Sequence, residues 1–131
     1  ATKAYVLSAL RRSREMREHQ TISALDRARA YIESHFTEDL SLEEVADHVH
    51  LNSFYLSKVF KQYVGETFID FLTSLRIKRA KQLIEEDTLS LKEICYEAGY
   101  KDPNYFSRVF KKVTGVTPSD YRTSSLKESD S

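Results

Sequence analysis

The sequence predicts an all-α fold in which two helix-turn-helix subdomains are joined by a long connecting helix. Three observations carry that expectation. Apolar residues recur at spacings of three and four almost throughout, the period of a helix with one buried face. Only 3 glycines and 2 prolines occur in 131 residues, so little interrupts the helical pattern. The chain also repeats itself. Leu40-Ser41-Leu42, leading through Phe60-Lys61 to Gly65-Glu66-Thr67, returns as Leu89-Ser90-Leu91, leading through Phe110-Lys111 to Gly115-Val116-Thr117.

Lys3 to His19 is a helical pattern rich in charge (Arg11, Arg12, Arg14, Glu15, Arg17, Glu18) and thin in apolar residues (Val6, Leu7, Leu10), so residues 1–22 are expected to form an arm. From Ser23 to about Phe36, the stripe Leu25, Ala28, Ile32 and Phe36 predicts a first core helix. Ser41 with Glu44, and Ser90 with Glu93, have capping-box spacing: the hydroxyl accepts from an early N–H and the carboxylate reaches back to the cap. The short helices they start bury Leu42, Val45, Ala46 and Val49 in one copy and Leu91, Ile94, Cys95 and Ala98 in the other. Gly99 suits the left-handed residue after a helix, and His50 takes its place in the first copy.

Asn52 and Asp102 cap the second helix of each copy, with Pro103 at the favoured first position of the later one. Expected inward positions are Leu56, Val59, Phe60 and Tyr63, then Phe106, Val109, Phe110 and Val113. The helix-turn-helix units therefore cover about 41–64 and 90–114. Thr67 caps the connecting helix, about 67–86, with Phe68, Phe71, Leu72, Leu75, Ala80, Leu83 and Ile84 apolar. Thr117-Pro118 opens a closing helix at about 118–124, which ends the domain begun at 23, and 125–131 is a polar tail expected to fray.

A hydrophobic content of 40% supports a modest core without staples. The single Cys95 excludes an intramolecular disulfide and is expected in the core. His19, His35, His48 and His50 have no metal-ligand spacing, since residues two apart point to different sides of a helix. There is no glycine-rich phosphate loop, nucleophile elbow or catalytic carboxylate pair. The expectation is no enzyme, no cofactor and no metal. No apolar run approaches the ~18 residues of a membrane span, and a reducing cytoplasm fits the cysteine usage. Ala1 in place of methionine suggests a piece of a longer protein.

The 20 basic and 20 acidic residues cancel, but their distribution is uneven. Acids crowd at Glu33, Glu38, Asp39, Glu43, Glu44 and Asp47. Cations gather at Lys58, Lys61, Arg76, Lys78, Arg79 and Lys81, and again at Lys101, Arg108, Lys111 and Lys112. The second helices carry Phe54, Ser57, Lys58 and Lys61, or Asn104, Ser107, Arg108 and Lys111, opposite their apolar stripes. Short polar and cationic side chains near a helix N-terminus suit the DNA major groove. Arg108 fits a guanine edge, Asn104 an adenine, Phe54 a thymine methyl, and Lys58 either a base or a phosphate. Lys61, Lys111 and Lys112 lie further along and suit phosphates, as do the hydroxyls of Tyr55 and Tyr105 at the boundary; Asn52 and Arg76 complete the phosphate set.

Residues Leu40 to Arg122 resemble the DNA-binding domain of the AraC/XylS family of bacterial transcription regulators. The segments that carry the resemblance are Leu75-Arg76-Ile77-Lys78-Arg79-Ala80-Lys81, Ile94-Cys95-Tyr96-Glu97-Ala98-Gly99-Tyr100, Asp102-Pro103-Asn104-Tyr105-Phe106-Ser107-Arg108-Val109-Phe110-Lys111-Lys112, and Val113-Thr114-Gly115-Val116-Thr117-Pro118-Ser119-Asp120-Tyr121-Arg122. The resemblance implies two recognition helices in successive major grooves of double-stranded DNA. Carried over by position, the base-reading residues are Ser53, Phe54, Ser57 and Lys58, then Asn104, Ser107 and Arg108. It also implies a preceding sensory or receiver domain, RNA polymerase as a partner of an activator, and a possible homodimer of the intact protein. For the arm, a linker, a dimer-forming helix and a second basic contact to phosphate all remain open. A rival of another class is a helical interaction module that docks a partner helix on the Phe54 face.

Overall fold

The computed structural model describes the backbone of residues 2–130 and the side chains of residues 11–127. Expectations placed on Val6, Leu7 and Leu10, and on tail side chains beyond Lys127, lie outside the described residues. Every regular element of the described backbone is a helix: α1 (Thr2–His35), α2 (Leu42–His48), α3 (Ser53–Val64), α4 (Phe68–Glu86), α5 (Leu91–Glu97), α6 (Pro103–Thr114) and α7 (Pro118–Asp130). They belong to two compact units, one of Ala1–Ile32 with Ser41–Phe68, the other of Glu33–Leu40 with Ile69–Ser131.

In the first unit, Thr21, Ala24, Leu25, Ala28 and Ile32 give α1 a buried face at three and four spacing. Val45 and Ala46 of α2, Val49 just after it, and Leu56, Val59 and Phe60 of α3 are buried. Phe60 meets Phe68 edge-on at 6.5 Å, and His48 stacks on Tyr31 at 4.2 Å. In the second unit, Ile77, Ala80, Leu83 and Ile84 of α4 pack with Ile94, Cys95 and Ala98, and with Tyr100, Phe106 and Phe110. Cys95 is a core residue, as expected; burial raises its thiol pKa, with Asp102 adding to the shift.

The two turns are built alike. In the first, Val49, His50 and Leu51 donate to the carbonyls of Val45, Asp47 and Ala46 at 3.1, 3.3 and 2.9 Å. In the second, Ala98, Gly99 and Tyr100 donate to Ile94, Tyr96 and Cys95 at 2.9, 3.1 and 3.0 Å. His50 at φ 60 and Gly99 at φ 101 are both left-handed, so the histidine bears the turn that glycine bears in the other copy. Beyond the turn the register shifts. The second copy holds one more residue, Lys101, between the turn and the cap; it is exposed and pairs with Asp39 at 3.1 Å. Exposed pairs of this kind contribute about 1 kcal/mol or less.

Several expectations are corrected. The arm and the first core helix are one continuous α1, with no break at residues 22 and 23, because neither glycine nor proline occurs in Thr2–His35 to stop it. The closing helix likewise runs to Asp130 rather than ending near 124. Tyr63 and Val113, expected inside, are 45% and 50% exposed. Both lie in the last turn, beyond Phe60 and Phe110, the last fully buried positions of their helices. Ile77 is buried where the stripe of the connecting helix omitted it, while Leu75 and Phe36 are only half-buried. The Glu93 carboxylate accepts from the Ser90 hydroxyl at 3.0 Å rather than from a backbone N–H.

Candidate nucleic-acid interface

Each second helix is launched and stopped by local chemistry. Asn52 Oδ1 accepts from the N–H groups of Phe54 at 2.8 Å and Tyr55 at 3.4 Å. Asp102 Oδ1 accepts from Asn104 N–H at 3.0 Å, and Pro103 stands at the helix start, where its missing N–H costs nothing. Left-handed Gly65 and Gly115 end the two helices, donating to Lys61 and Lys111 carbonyls. With Leu56 and Phe60, or Phe106 and Phe110, held in the cores, the opposite face of each helix is turned to solvent.

On α3 that face carries Phe54, Ser57, Lys58 and Lys61, all exposed, with Ser53 half-buried. Phe54 is 85% exposed, an apolar ring that the core does not use. On α6 the exposed set is Asn104, Ser107, Arg108, Lys111 and Lys112. The Arg108 guanidinium lies 6.0 Å from the centre of the Tyr105 ring, within cation–π range. Tyr105 in turn meets Tyr100 edge-on at 6.1 Å. Tyr55 is tied differently: its hydroxyl and Thr21 Oγ1 share a hydrogen bond of 3.1 Å, which anchors α3 to α1.

Arg76 is the clearest departure among the expected phosphate residues. Its Nε donates to the Phe36 carbonyl at 2.8 Å and a terminal nitrogen donates to the Glu38 carbonyl at 2.9 Å. The guanidinium also sits 5.4 Å from the Tyr100 ring centre. Burial lowers its pKa, while Tyr100, Asp39 and Tyr105 pull it back. Burial in the same cluster pushes the Tyr100 phenol up to about 12, against the pull of Arg76. Arg76 thus holds the segment that follows α1, a role that no local pattern around residue 76 reveals. Arg76→Ala is expected to cost about 2 kcal/mol by leaving two carbonyls without their donors. DNA affinity measured on the folded variant should stay within about twofold; a large affinity loss with unchanged stability would return Arg76 to the phosphate set.

Two helix-turn-helix units, each with an exposed second helix of polar, cationic and aromatic residues, define a double helix-turn-helix domain of the DNA-binding class. Comparison with known proteins places it further. A helix-turn-helix domain family matches residues 45–124, more than half of the chain. The regulatory protein PocR of Salmonella typhimurium is 37% identical over 100 residues, covering 76% of this chain and 33% of that protein. The solved C-terminal domain of AraT, a response regulator from Geobacillus stearothermophilus, is 41% identical with a TM-score of 0.75, over 77% of this chain and 84% of that one. A transcriptional regulator with an AraC-type DNA-binding domain from Chromobacterium violaceum is 27% identical with a TM-score of 0.71, over 79% of this chain and 92% of that one. The chain belongs to the AraC-type helix-turn-helix family of transcription regulators. It spans about a third of the length of PocR.

Proposed function

We propose that this chain is the promoter-reading part of a transcriptional activator, with α3 and α6 entering successive major-groove segments of double-stranded DNA. The observation that carries the reading is the duplicated construction: the same turn, cap and glycine stop present a polar, cationic face twice. Ser53, Phe54, Ser57 and Lys58 read one half-site, and Asn104, Ser107 and Arg108 the other. Lys61, Lys111 and Lys112 hold phosphates, joined by Asn52, Tyr55 and Tyr105 at the helix starts. Because Asn52 Oδ1 and the Tyr55 hydroxyl already have partners, those two act through the amide nitrogen of Asn52 and the remaining hydrogen-bonding capacity of the Tyr55 hydroxyl.

In this reading, residues 23–124 form the DNA-binding domain, 1–22 an arm continuous with it through α1 that leads from a preceding sensory or receiver domain, and 125–131 a tail. The similarity to the C-terminal domain of a response regulator supports such a partner. The intact protein works in the cytoplasm, contacts RNA polymerase, forms a homodimer and has no enzymatic activity. No helix of the described residues is long and apolar enough to cross a membrane.

Selection from random duplexes tests the reading. A motif of two half-sites about one helical turn apart is expected. Arg108→Ala should then relax the preference at one base position by about 1–3 kcal/mol, roughly 5- to 150-fold, leaving the rest of the motif intact. Enrichment of no motif, together with binding that ignores salt, would favour protein docking on the Phe54 face instead.

A further inference from the structure

α1 carries more than the buried face that closes the first unit. Arg17, Thr21 and Arg27 of α1 line an open groove of about 410 Å³ together with Val49, Leu51 and Tyr55. Both arginines are exposed, and among the described residues neither is paired with a carboxylate. The Thr21–Tyr55 hydrogen bond of 3.1 Å lies between them along α1 and fastens this face to the first turn of α3. The cap residue Asn52 and the exposed Phe54 belong to that same turn. The groove is thus set beside the end of α3 that approaches the duplex, with both apolar and cationic residues in its lining.

We propose that Arg17 and Arg27 form a phosphate clamp flanking α3, gripping the backbone of the DNA segment that α3 reads. The inference rests on the reading of α3 as a recognition helix. Ten positions apart on one helix, the two arginines have α-carbons separated by about 15 Å along the axis, so they hold two different phosphates rather than share one. A guanidinium presents a planar fork of donors that matches phosphate oxygens, and Arg has this geometry where Lys does not. The hydrogen bond between Thr21 and Tyr55 keeps α1 in place, so that the clamp and the reading face move as one body. Residues 17 and 27 lie before the segment matched by the helix-turn-helix family, and so add a contact that the repeated unit lacks.

The test compares Arg17→Gln/Arg27→Gln with the unaltered chain and with Arg12→Gln, using the duplex won by selection and a random duplex. Arg12 is exposed, stands about 7.5 Å before Arg17 along the helix axis and does not line the groove. Glutamine keeps helix propensity, and circular dichroism confirms that each variant is folded. The double variant is expected to lower the slope of log affinity against log salt by about 1.8, two phosphate contacts, equally on both duplexes. Its base preference should be unchanged, and Arg12→Gln should leave the slope as it was. A double variant with an unaltered slope would overturn the clamp while leaving base reading by α3 intact, as would an equal loss in Arg12→Gln. If the unaltered chain bound neither duplex at low salt, the proposed DNA function would fall, and the clamp with it.

Discussion

Gly99→Ala is expected to destabilise the chain by about 3–4 kcal/mol, although the substitution adds one methyl group. Two terms add. At φ +101 an L-residue adopts a conformation it rarely accepts, which costs about 1–2 kcal/mol. A Cβ there would also lie 2.7 Å from the Phe36 carbonyl oxygen, 2.9 Å from Arg76 Nε and 3.1 Å from Thr37 Cα. Forcing such an overlap adds about 1–3 kcal/mol. Two of the crowding atoms are backbone and the third is held by its own hydrogen bond to Phe36, so nothing nearby yields cheaply. Gly65→Ala is the comparison, because its φ is +95 with no atom within 4 Å of the added Cβ. It should lose only about 1–2 kcal/mol, the conformational term alone. Denaturant midpoints at constant m measure both. Equal losses at the two positions would show that the crowding around Gly99 is relieved by movement and contributes nothing.

Phe110→Ala is expected to cost about 3–5 kcal/mol, the range for emptying a buried aromatic site. The Phe110 ring has no exposed surface and meets Phe106 at 5.8 Å and Tyr121 at 5.6 Å, both edge-on. Such pairs contribute about 0.5–1.5 kcal/mol beyond the area they bury. Tyr121 does not readily follow into the space, because its hydroxyl donates to Glu85 and its neighbour Arg122 donates to the Leu89 carbonyl while facing Asp87. For a domain of about 5–15 kcal/mol total stability the loss is a large fraction of the whole. Because Asn104 and Arg108 project from the other face of the same helix, binding at the half-site proposed for them should weaken in parallel. A loss below 1.5 kcal/mol in urea unfolding would mean that the second core collapses around the missing ring.

How much of this was legible beforehand divides along a physical line. The caps at Ser41, Asn52, Ser90 and Asp102, the left-handed residue at 99, and the spans of α2 to α6 followed from chemistry confined to a few neighbouring residues, whereas at His50 the sequence leaves the turn open between a left-handed and another geometry. The outward positions of Phe54, Lys58, Asn104 and Arg108 followed from helical period once Leu56, Phe60, Phe106 and Phe110 were placed inside. Periodicity failed at Tyr63 and Val113, because it states which side a residue faces and not whether anything covers that side.

By itself, then, the sequence determined an all-helical chain with a duplicated turn, two capped second helices and a polar, cationic face on each. Tertiary structure alone decided what several of its strongest side chains are for. Arg76 looks like one more cation in a basic stretch, yet its acceptors lie 40 and 38 residues away in the chain. The Tyr55 hydroxyl finds Thr21 at a separation of 34 residues, and Gly99 has no room for a side chain because Phe36 passes beside it. Hydrogen-bonding groups and bulk are satisfied by whatever folding brings near, and that neighbour is set by the packing of whole helices rather than by the residues on either side.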